Sequence, residues 1–262
     1  MFHRVLPKGQ IKSNNAYFIR GTMISQERLE NVIKSYLNNS FAFKTLNELK
    51  LDNTQREVVL TFDDGYLDNY LYALPILNKY NIKATFYPII GNNVEQVLSP
   101  LDYYYHYVDI NIPANEKESW ITGKIKSTFR NLEVKKQKQY ISELFNHHLP
   151  NIDIKYMSIL QLLELHKMGH EIGGHSYYHD IYTNLSNQDI HQDIKNTITA
   201  FKNINIDIKT YAYTDGQYNI DTINYLLDYN IDKACAIKSI NIYNNPNFEL
   251  ERKFVKENEI IG

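Results

Sequence analysis

The chain has 262 residues, with 28 Lys and Arg against 30 Asp and Glu, so its formal net charge at pH 7 is −2. This balance argues against a nucleic-acid-binding protein, because phosphate recognition needs a basic surplus or stripe. The single Cys excludes an internal disulfide and a multi-thiolate metal site within one chain. A transition metal would therefore have to bind to imidazole and carboxylate groups.

The first eight residues, MFHRVLPK, contain no apolar core and no small-residue cleavage site. This pattern predicts no secretory signal peptide. No run of roughly 18 apolar residues occurs either, so no transmembrane helix is expected. Together these features predict a cytoplasmic protein.

Hydrophobic periodicity and capping residues predict the elements of the first third of the chain. In chain order they are a helix that begins at Ser25, a short helix over 46–49 after the capping pair Thr45 and Glu48, a buried strand over 57–62, a helix over 67–80 in which Pro75 can introduce a kink, and a strand over 83–90. Strand, helix and strand within about 30 residues form a βαβ unit.

Residues 92–156 interrupt this alternation and are too long and too patterned for a plain loop, so they are predicted to form a helical insertion. The alternation then resumes. The elements predicted after the insertion are a helix from Ser158 to Met168, a strand over 170–174, a helix from Ser186, a strand over 208–213, a helix capped by Asp221 and a strand over 233–237. Repeated βα units predict an α/β fold with a mostly parallel sheet or barrel, whose functional groups lie at the carboxyl ends of its strands.

Two motifs follow predicted strands. The first is Thr61-Phe62-Asp63-Asp64-Gly65, in which adjacent carboxylates on a tight turn point in different directions. One carboxylate can then bind a metal while the other faces a substrate. A turn that merely caps the next helix is the alternative, because Asp and Gly favour turns.

The second motif places His175 and His179 four residues apart, so that both imidazoles can reach one cation. With one carboxylate they would form a His-His-Asp set that leaves positions open for water and substrate. The same spacing separates His166 from His170, and that pair is assigned to a helix end and to packing.

Together these motifs resemble those of the polysaccharide deacetylases of carbohydrate esterase family 4, which contain the NodB homology domain. TFDDG stands unchanged at 61–65, and the family's H-S/T-x-x-H stands at 175–179 as HSYYH. The resemblance implies a single catalytic domain over 1–262 with the helical insertion at about 92–156. It also implies a distorted parallel (β/α) barrel of NodB type.

The resemblance implies roles for individual residues. Asp64, His175 and His179 match the family's metal ligands, and Asp63 matches its catalytic base. Zn is the first expectation for the divalent metal, and Ni, Co or Fe would also suit these ligands.

The third family motif, usually R-x-P-Y-G or Y-P-x-G, departs here to Ala-Tyr-Thr-Asp-Gly at 212–216. Tyr213 and Asp215 are therefore candidates for substrate or oxyanion contacts, the latter through its backbone N–H. The motif arginine is missing, and Arg252 is a candidate to replace it as the partner of Asp63. An ordinary surface ion pair of Arg252 is the alternative.

The family also uses a His as general acid near its C-terminus, but no His follows His191. Some members resembling biofilm poly-N-acetylglucosamine deacetylases carry that motif at the N-terminus as YHRV. Residues 2–5, FHRV, resemble that version, so His3 is the candidate acid. The alternative is a frayed terminal His.

The chain has 22 Tyr and 11 Phe. Tyr177, Tyr178 and the tyrosines at 103–105 can stack on sugar rings, although packing explains most Tyr residues. The predicted function is metal-dependent removal of an N-acetyl or N-formyl group from an amino sugar in surface-polysaccharide biosynthesis, with a nucleotide- or lipid-linked substrate. The alternatives are an inactive carbohydrate-binding relative and an amidohydrolase acting on a non-sugar amide.

Overall fold

A computed structural model of the chain describes residues 1–52, 54–238 and 242–259. Its strands are short. They are β1 (Arg4–Leu6), β2 (Met23–Ser25), β3 (Ala42–Lys44), β4 (Glu57–Val59), β5 (Thr61–Asp64), β6 (Thr85–Pro88), β7 (Glu171–Ile172), β8 (Thr210–Ala212), β9 (Lys233–Ala236) and β10 (Leu250–Glu251).

Most of the chain between these strands is helical. The α-helices are α1 (Ala16–Arg20), α2 (Gln26–Asn38), α3 (Leu74–Lys79), α4 (Ile90–Glu95), α5 (Pro100–Asn111), α6 (Lys117–Thr122), α7 (Lys124–Arg130), α8 (Val134–Leu144), α9 (Ile159–Lys167), α10 (Asn187–Asn203) and α11 (Ile220–Asp228). A π-helical segment, Asn69–Ala73, leads into α3.

All paired strands run parallel, as predicted for an α/β fold. The three-stranded sheets β5-β6-β7 and β10-β9-β8 are joined by a bridge between Gly174 and Tyr211. A bridge from Phe2 to Phe62 joins the pair β1-β2 to β5. Among the described residues the ladders do not close into a complete barrel, which modifies the barrel expectation. The carboxyl ends of β5, β6, β7 and β8 nevertheless lie along one edge.

The capping residues explain where the helices begin. The side chains of Ser25, Ser158 and Ser186 each accept a hydrogen bond from the backbone N–H three residues later, as predicted. The cap predicted at Asp221 is wrong, because Asn219 caps α11 by accepting from the Thr222 N–H at 2.8 Å.

The short helix predicted over 46–49 is also wrong. Thr45 and Glu48 do pair, with the Thr45 N–H 2.9 Å from Glu48 Oε2, but the segment makes only a turn. One capping pair cannot sustain a helix without further turns, because helix nucleation is unfavourable. The helix predicted over 67–80 is confirmed to within a residue, and it changes from π to α type next to Pro75, which has no N–H to donate.

Residues 92–156, the segment predicted to be a helical insertion, contain α5 to α8. The apolar residues of this segment form a cluster with α1 that is distinct from the main core around the sheets. Within this cluster the Asp102 carboxylate accepts hydrogen bonds from the hydroxyls of Tyr17, Tyr66 and Tyr156 at 2.5, 2.7 and 2.6 Å. Much of the tyrosine excess therefore serves packing and buried hydrogen bonding.

No helix in the described part of the chain is both long and apolar enough to cross a membrane. This agrees with the absence of a long apolar run in the sequence.

Candidate active site

The eight residues singled out from the sequence all line one cavity at the carboxyl edge of the strands. They are His3, Asp63, Asp64, His175, His179, Tyr213, Asp215 and Arg252. They come from five separate parts of the chain, so only the fold brings them together. This space is called the site cavity below.

The first motif reaches the cavity at the end of β5, which extends through Asp64 rather than ending before Asp63 as predicted. Asp64 and Gly65 both have positive φ, at 72° and 79°. A side chain at Gly65 would place its Cβ 2.6 Å from Cβ of Pro88, so glycine is required there. This turn directs the two carboxylates to different partners.

Asp63 is paired with Arg252. Its Oδ1 and Oδ2 lie 2.6 and 2.9 Å from Nη1 and Nη2 of the guanidinium, and both side chains are buried. Burial by itself raises the pKa of Asp63, but the charges of Arg252 and the nearby imidazoles, with the hydrogen bonds from Arg252, together outweigh it and hold the pKa below its usual range. A surface ion pair of Arg252 is therefore excluded.

Asp64 faces the two imidazoles of the second motif. Its Oδ1 lies 3.5 Å from Nε2 of both His175 and His179, and this buried oxygen accepts no hydrogen bond. The ligand atoms of the three residues lie within 4.8 Å of one another. A buried set of one carboxylate oxygen and two imidazole nitrogens could hold a divalent metal.

The outer nitrogens of the two imidazoles have different partners. Nδ1 of His175 lies 2.7 Å from the carbonyl oxygen of Ala212 and donates to it, so the lone pair of Nε2 faces Asp64. Nδ1 of His179 lies 3.1 Å from Nη2 of Arg130, which can only donate. Burial and the nearby Arg130 lower the pKa of His179 to about 3.

The loop between the two His is held by Asp193 of α10. This carboxylate accepts hydrogen bonds from the Tyr177 N–H and from the hydroxyls of Ser176 and Tyr182. The Ser176 N–H also donates to the Tyr211 hydroxyl at 2.8 Å. These contacts orient the two imidazoles, and nothing in the motif itself identified Asp193.

Several residues around the cavity have left-handed backbone conformations. Asp64, Ser176, His179 and Asp215 have φ values of 72°, 59°, 72° and 50°. Such conformations are costly for residues other than glycine and cluster at functional sites. The surrounding hydrogen bonds hold this strained arrangement in place.

His3 reaches the cavity from the N-terminal segment. Phe2 pairs with β5 through backbone hydrogen bonds, because its N–H donates to the Thr61 carbonyl and its carbonyl accepts from the Asp63 N–H. The residue before His3 is therefore not frayed. The imidazole stacks on Phe254 at a centroid distance of 5.4 Å, and its Nδ1 is buried without a partner. Burial lowers the pKa of His3, and the carboxylates of Asp64 and Asp63 oppose this effect.

The altered third motif lies beside the metal-ligand set. The Tyr213 hydroxyl donates to the carbonyl oxygen of Phe248 at 3.0 Å, so that side chain has a structural partner. Asp215 is paired with Arg130, whose Nε lies 3.2 Å from Oδ2. Burial raises the pKa of Asp215, but Arg130, together with the charges of His179 and Lys126, outweighs it and holds the pKa well below its usual range.

Arg130 is a site residue that sequence reasoning missed. It belongs to α7 in the insertion, and it is supported by Gln137, which accepts from its Nη1 at 3.3 Å. Gln137 lies within a basic run, 135–138, whose three lysines are exposed, whereas Gln137 itself is buried. No motif signals Arg130, because its role depends on where the insertion folds.

The aromatic residues considered for sugar stacking differ in position. Tyr105 lines the site cavity, whereas Tyr104 is buried against Phe129. Among the described residues, Tyr177 and Tyr178 are not part of the cavity wall; the Tyr178 hydroxyl donates to Glu95. The His166 and His170 pair is confirmed as structural, since His170 is buried with Nδ1 accepting from the Ala84 N–H.

Comparison with known families agrees with this geometry. The profile of the polysaccharide deacetylase family matches residues 50–234, more than half of the chain, including both motifs. The chain belongs to the polysaccharide deacetylase family.

Solved structures show that the likeness extends over the whole fold. The chain is similar to the deacetylase PplD of Streptococcus pyogenes, with 17% identity, a TM-score of 0.65, and coverage of 98% of this chain and 92% of that one. For IcaB of Ammonifex degensii the identity is 17%, the TM-score 0.63 and the coverage 97% and 89%.

A local sequence match is also found. YxkH of Bacillus subtilis is 36% identical over 77 residues, which span 27% of this chain and 27% of that protein. The match thus covers about a quarter of the relative's length. It supports membership of the polysaccharide deacetylase family without extending to the whole protein.

Proposed function

We propose that this protein is a metal-dependent hydrolase that removes an N-acetyl or N-formyl group from an amino sugar. The observation that carries the proposal is the convergence of a buried Asp-His-His set, an Arg-paired carboxylate and a buried imidazole on one cavity. Family membership supports the acetylated sugar as the substrate class. A role in surface-polysaccharide biosynthesis is part of the proposal.

Asp64, His175 and His179 would hold the metal. The fit is supported by Asp64 Oδ1, a buried oxygen without a hydrogen bond, and by the free lone pair on Nε2 of His175. His179 can offer Nε2 only when its proton is on Nδ1, a state in which Arg130 no longer donates to it. A divalent cation there would polarise the amide carbonyl and lower the pKa of water, and Zn, Ni, Co and Fe all suit these ligands.

Asp63 would act as the general base. Its low pKa keeps it ionised, and its two hydrogen bonds from Arg252 fix its orientation. Water would add to the carbonyl carbon of the amide while Asp63 takes one of its protons. The backbone N–H of Asp215 and the wall formed by Tyr213 would contact the developing oxyanion and the substrate.

His3 would complete the reaction by protonating the nitrogen as the carbon–nitrogen bond breaks, so that acetate and a free amine leave. Its imidazole lines the cavity that also holds Asp63, and its Nδ1 has no other partner. The pairing of Asp215 with Arg130 argues against the inactive alternative, because the extra carboxylate is neutralised rather than directed at the reacting centre.

The deciding experiment is acetate release from a panel of acetamido sugars. The protein is stripped with a chelator and then assayed without metal and with Zn, Ni, Co or Fe restored. We expect release from at least one sugar that depends on added metal. Release only from small cyclic amides would favour the non-sugar amidohydrolase, and sugar binding without any release would favour the inactive relative. Fractionation of the native cells would test the predicted cytoplasmic location.

For His3 we predict that His3→Ala lowers the rate of sugar deacetylation by about 10²- to 10³-fold, because an amine leaves only with a proton. The same variant should hydrolyse 4-nitrophenyl acetate almost normally, since that leaving group needs no proton. His191→Ala, which removes a histidine outside the cavity, is the matched control. Equal losses on the amide and the aryl ester would contradict the role of His3.

A further inference from the structure

Two cations of the site cavity have no role in the reaction proposed above. Lys126, on α7 of the insertion, and Arg20, at the end of α1, both line the cavity. We call these two residues the basic wall. Lys126 is only 9% exposed, and Arg20 is half-buried.

Two carboxylates of the cavity are already paired with other cations: Asp63 with Arg252 and Asp215 with Arg130. The third, Asp64, faces the two imidazoles as the candidate carboxylate ligand of the metal. Among the ion pairs within 4 Å of the described residues, none includes Arg20 or Lys126. The charge of Asp215 does act on Lys126, but that carboxylate is bonded to Arg130.

The two cations of the basic wall also repel each other. Burial is the main effect that lowers the pKa of Lys126 to about 8, and the charge of Arg20 lowers it further. Among the described residues, both side chains lie against aromatic rings, with Lys126 Nζ 5.7 Å from the ring centre of Tyr105 and Arg20 Cζ 6.0 Å from that of Phe254. Such contacts contribute little against the cost of burying a cation without a counter-charge.

The residue pattern of α7 indicates that packing alone does not explain why Lys126 is buried. The helix buries Lys126 but leaves Ile125 40% exposed, the reverse of what packing alone favours. Lys126 and Arg130 are four residues apart and therefore lie on one face, which α7 turns toward the cavity. A local rule broken in this way is typical of a functional site.

We propose that the basic wall binds an anionic group of the substrate, so that the amino sugar carries a phosphate or a carboxylate next to the acyl group that is removed. The inference rests on the proposed deacetylase function and narrows its substrate class. An anion would supply the counter-charge that the two cations lack. A substrate in which the sugar is linked through phosphate and a substrate containing a uronic acid share this chemistry.

The test compares three substrates with the metal-loaded protein: methyl N-acetylglucosaminide, N-acetylglucosamine 1-phosphate and an N-acetylated aminouronic acid. We expect kcat/KM to be at least about tenfold higher for an anionic sugar than for the neutral one, since hydrogen bonds to charged groups are the strong ones. The preferred anion distinguishes phosphate from carboxylate. Equal kcat/KM for all three sugars would overturn the proposal while leaving deacetylation intact.

Lys126→Met should abolish the preference, because kcat/KM for the anionic sugar should fall about tenfold or more relative to kcat/KM for the neutral sugar. Lys124→Met removes the same charge from an exposed position two residues away on α7 and is the matched control. Equal losses on neutral and anionic sugars in Lys126→Met, or equal effects of the two variants, would contradict the assignment.

Binding to the metal-free protein keeps the inference testable if no sugar is hydrolysed. Calorimetric titration with N-acetylglucosamine 1-phosphate and with methyl N-acetylglucosaminide should show tighter binding of the phosphorylated sugar, lost in Lys126→Met and in Arg20→Gln. Absence of hydrolysis with this binding pattern would reject the deacetylase function but support the basic wall. Equal binding of both sugars would reject the basic wall.

Discussion

Asp63→Asn is expected to lower kcat for acetate release by about 10²- to 10⁴-fold, the usual contribution of a general base. The amide has the shape of the carboxylate and still accepts a hydrogen bond from Arg252, but it cannot take a proton from water at neutral pH. The measurement is steady-state kinetics on the best sugar of the panel, with the preferred metal restored.

Two further measurements separate this role from others. Asp63→Asn should retain its metal, because Asp63 faces Arg252 rather than the two imidazoles. It should also lose some stability in thermal unfolding, since a buried ion pair that loses one charge leaves the other uncompensated. A variant that stays folded, binds metal and keeps the full rate would contradict the proposed mechanism.

His175→Ala is expected to abolish stoichiometric metal binding and with it the metal-dependent activity. Removing one of three ligands leaves Asp64 and His179, and the site also loses the hydrogen bond from Nδ1 to Ala212 that orients the imidazole. The measurement is metal content after dialysis, together with a competition assay for affinity. Asp63→Asn is therefore expected to lose the general base but keep the metal, whereas His175→Ala is expected to lose the metal.

A matched control is available for the metal site. His166 belongs to a second pair of histidines four residues apart, but it is exposed and lies outside the cavity. His166→Ala should leave metal content and activity unchanged. Metal retained at full occupancy in His175→Ala would remove His175 from the ligand set.

The predictions made from the sequence were correct for elements whose structure depends on short-range patterns. Apolar spacing and serine caps predicted α2, α9 and α10, because a helix depends on neighbours three and four residues away. The predictions were wrong for the segment over 46–49 and for the N-cap of α11. In both cases a single favourable residue was taken as sufficient, although neighbouring residues determine the structure. The short strands β1, β2 and β3 were not predicted at all, since three residues contain little pattern.

The residues of the candidate site also fall into two groups: those identified by a local motif and those brought to the site by packing. The two carboxylates lie within the motif at 61–65 and the two imidazoles within the motif at 175–179. They were therefore recognisable from the sequence alone. His3 and Arg252 were candidates on resemblance or position, and packing brings both to the cavity that contains Asp63.

The sequence alone indicated the family, the α/β class and the residue types of a candidate metal site with nitrogen and oxygen ligands. Which distant residues meet at that site depends on the tertiary fold. Arg252 reaches Asp63 across 189 residues of chain, and the insertion contributes Arg130 and Lys126 without any motif. The reason is physical: periodicity and spacing describe neighbours along the chain, whereas a buried ion pair depends on how separate elements pack.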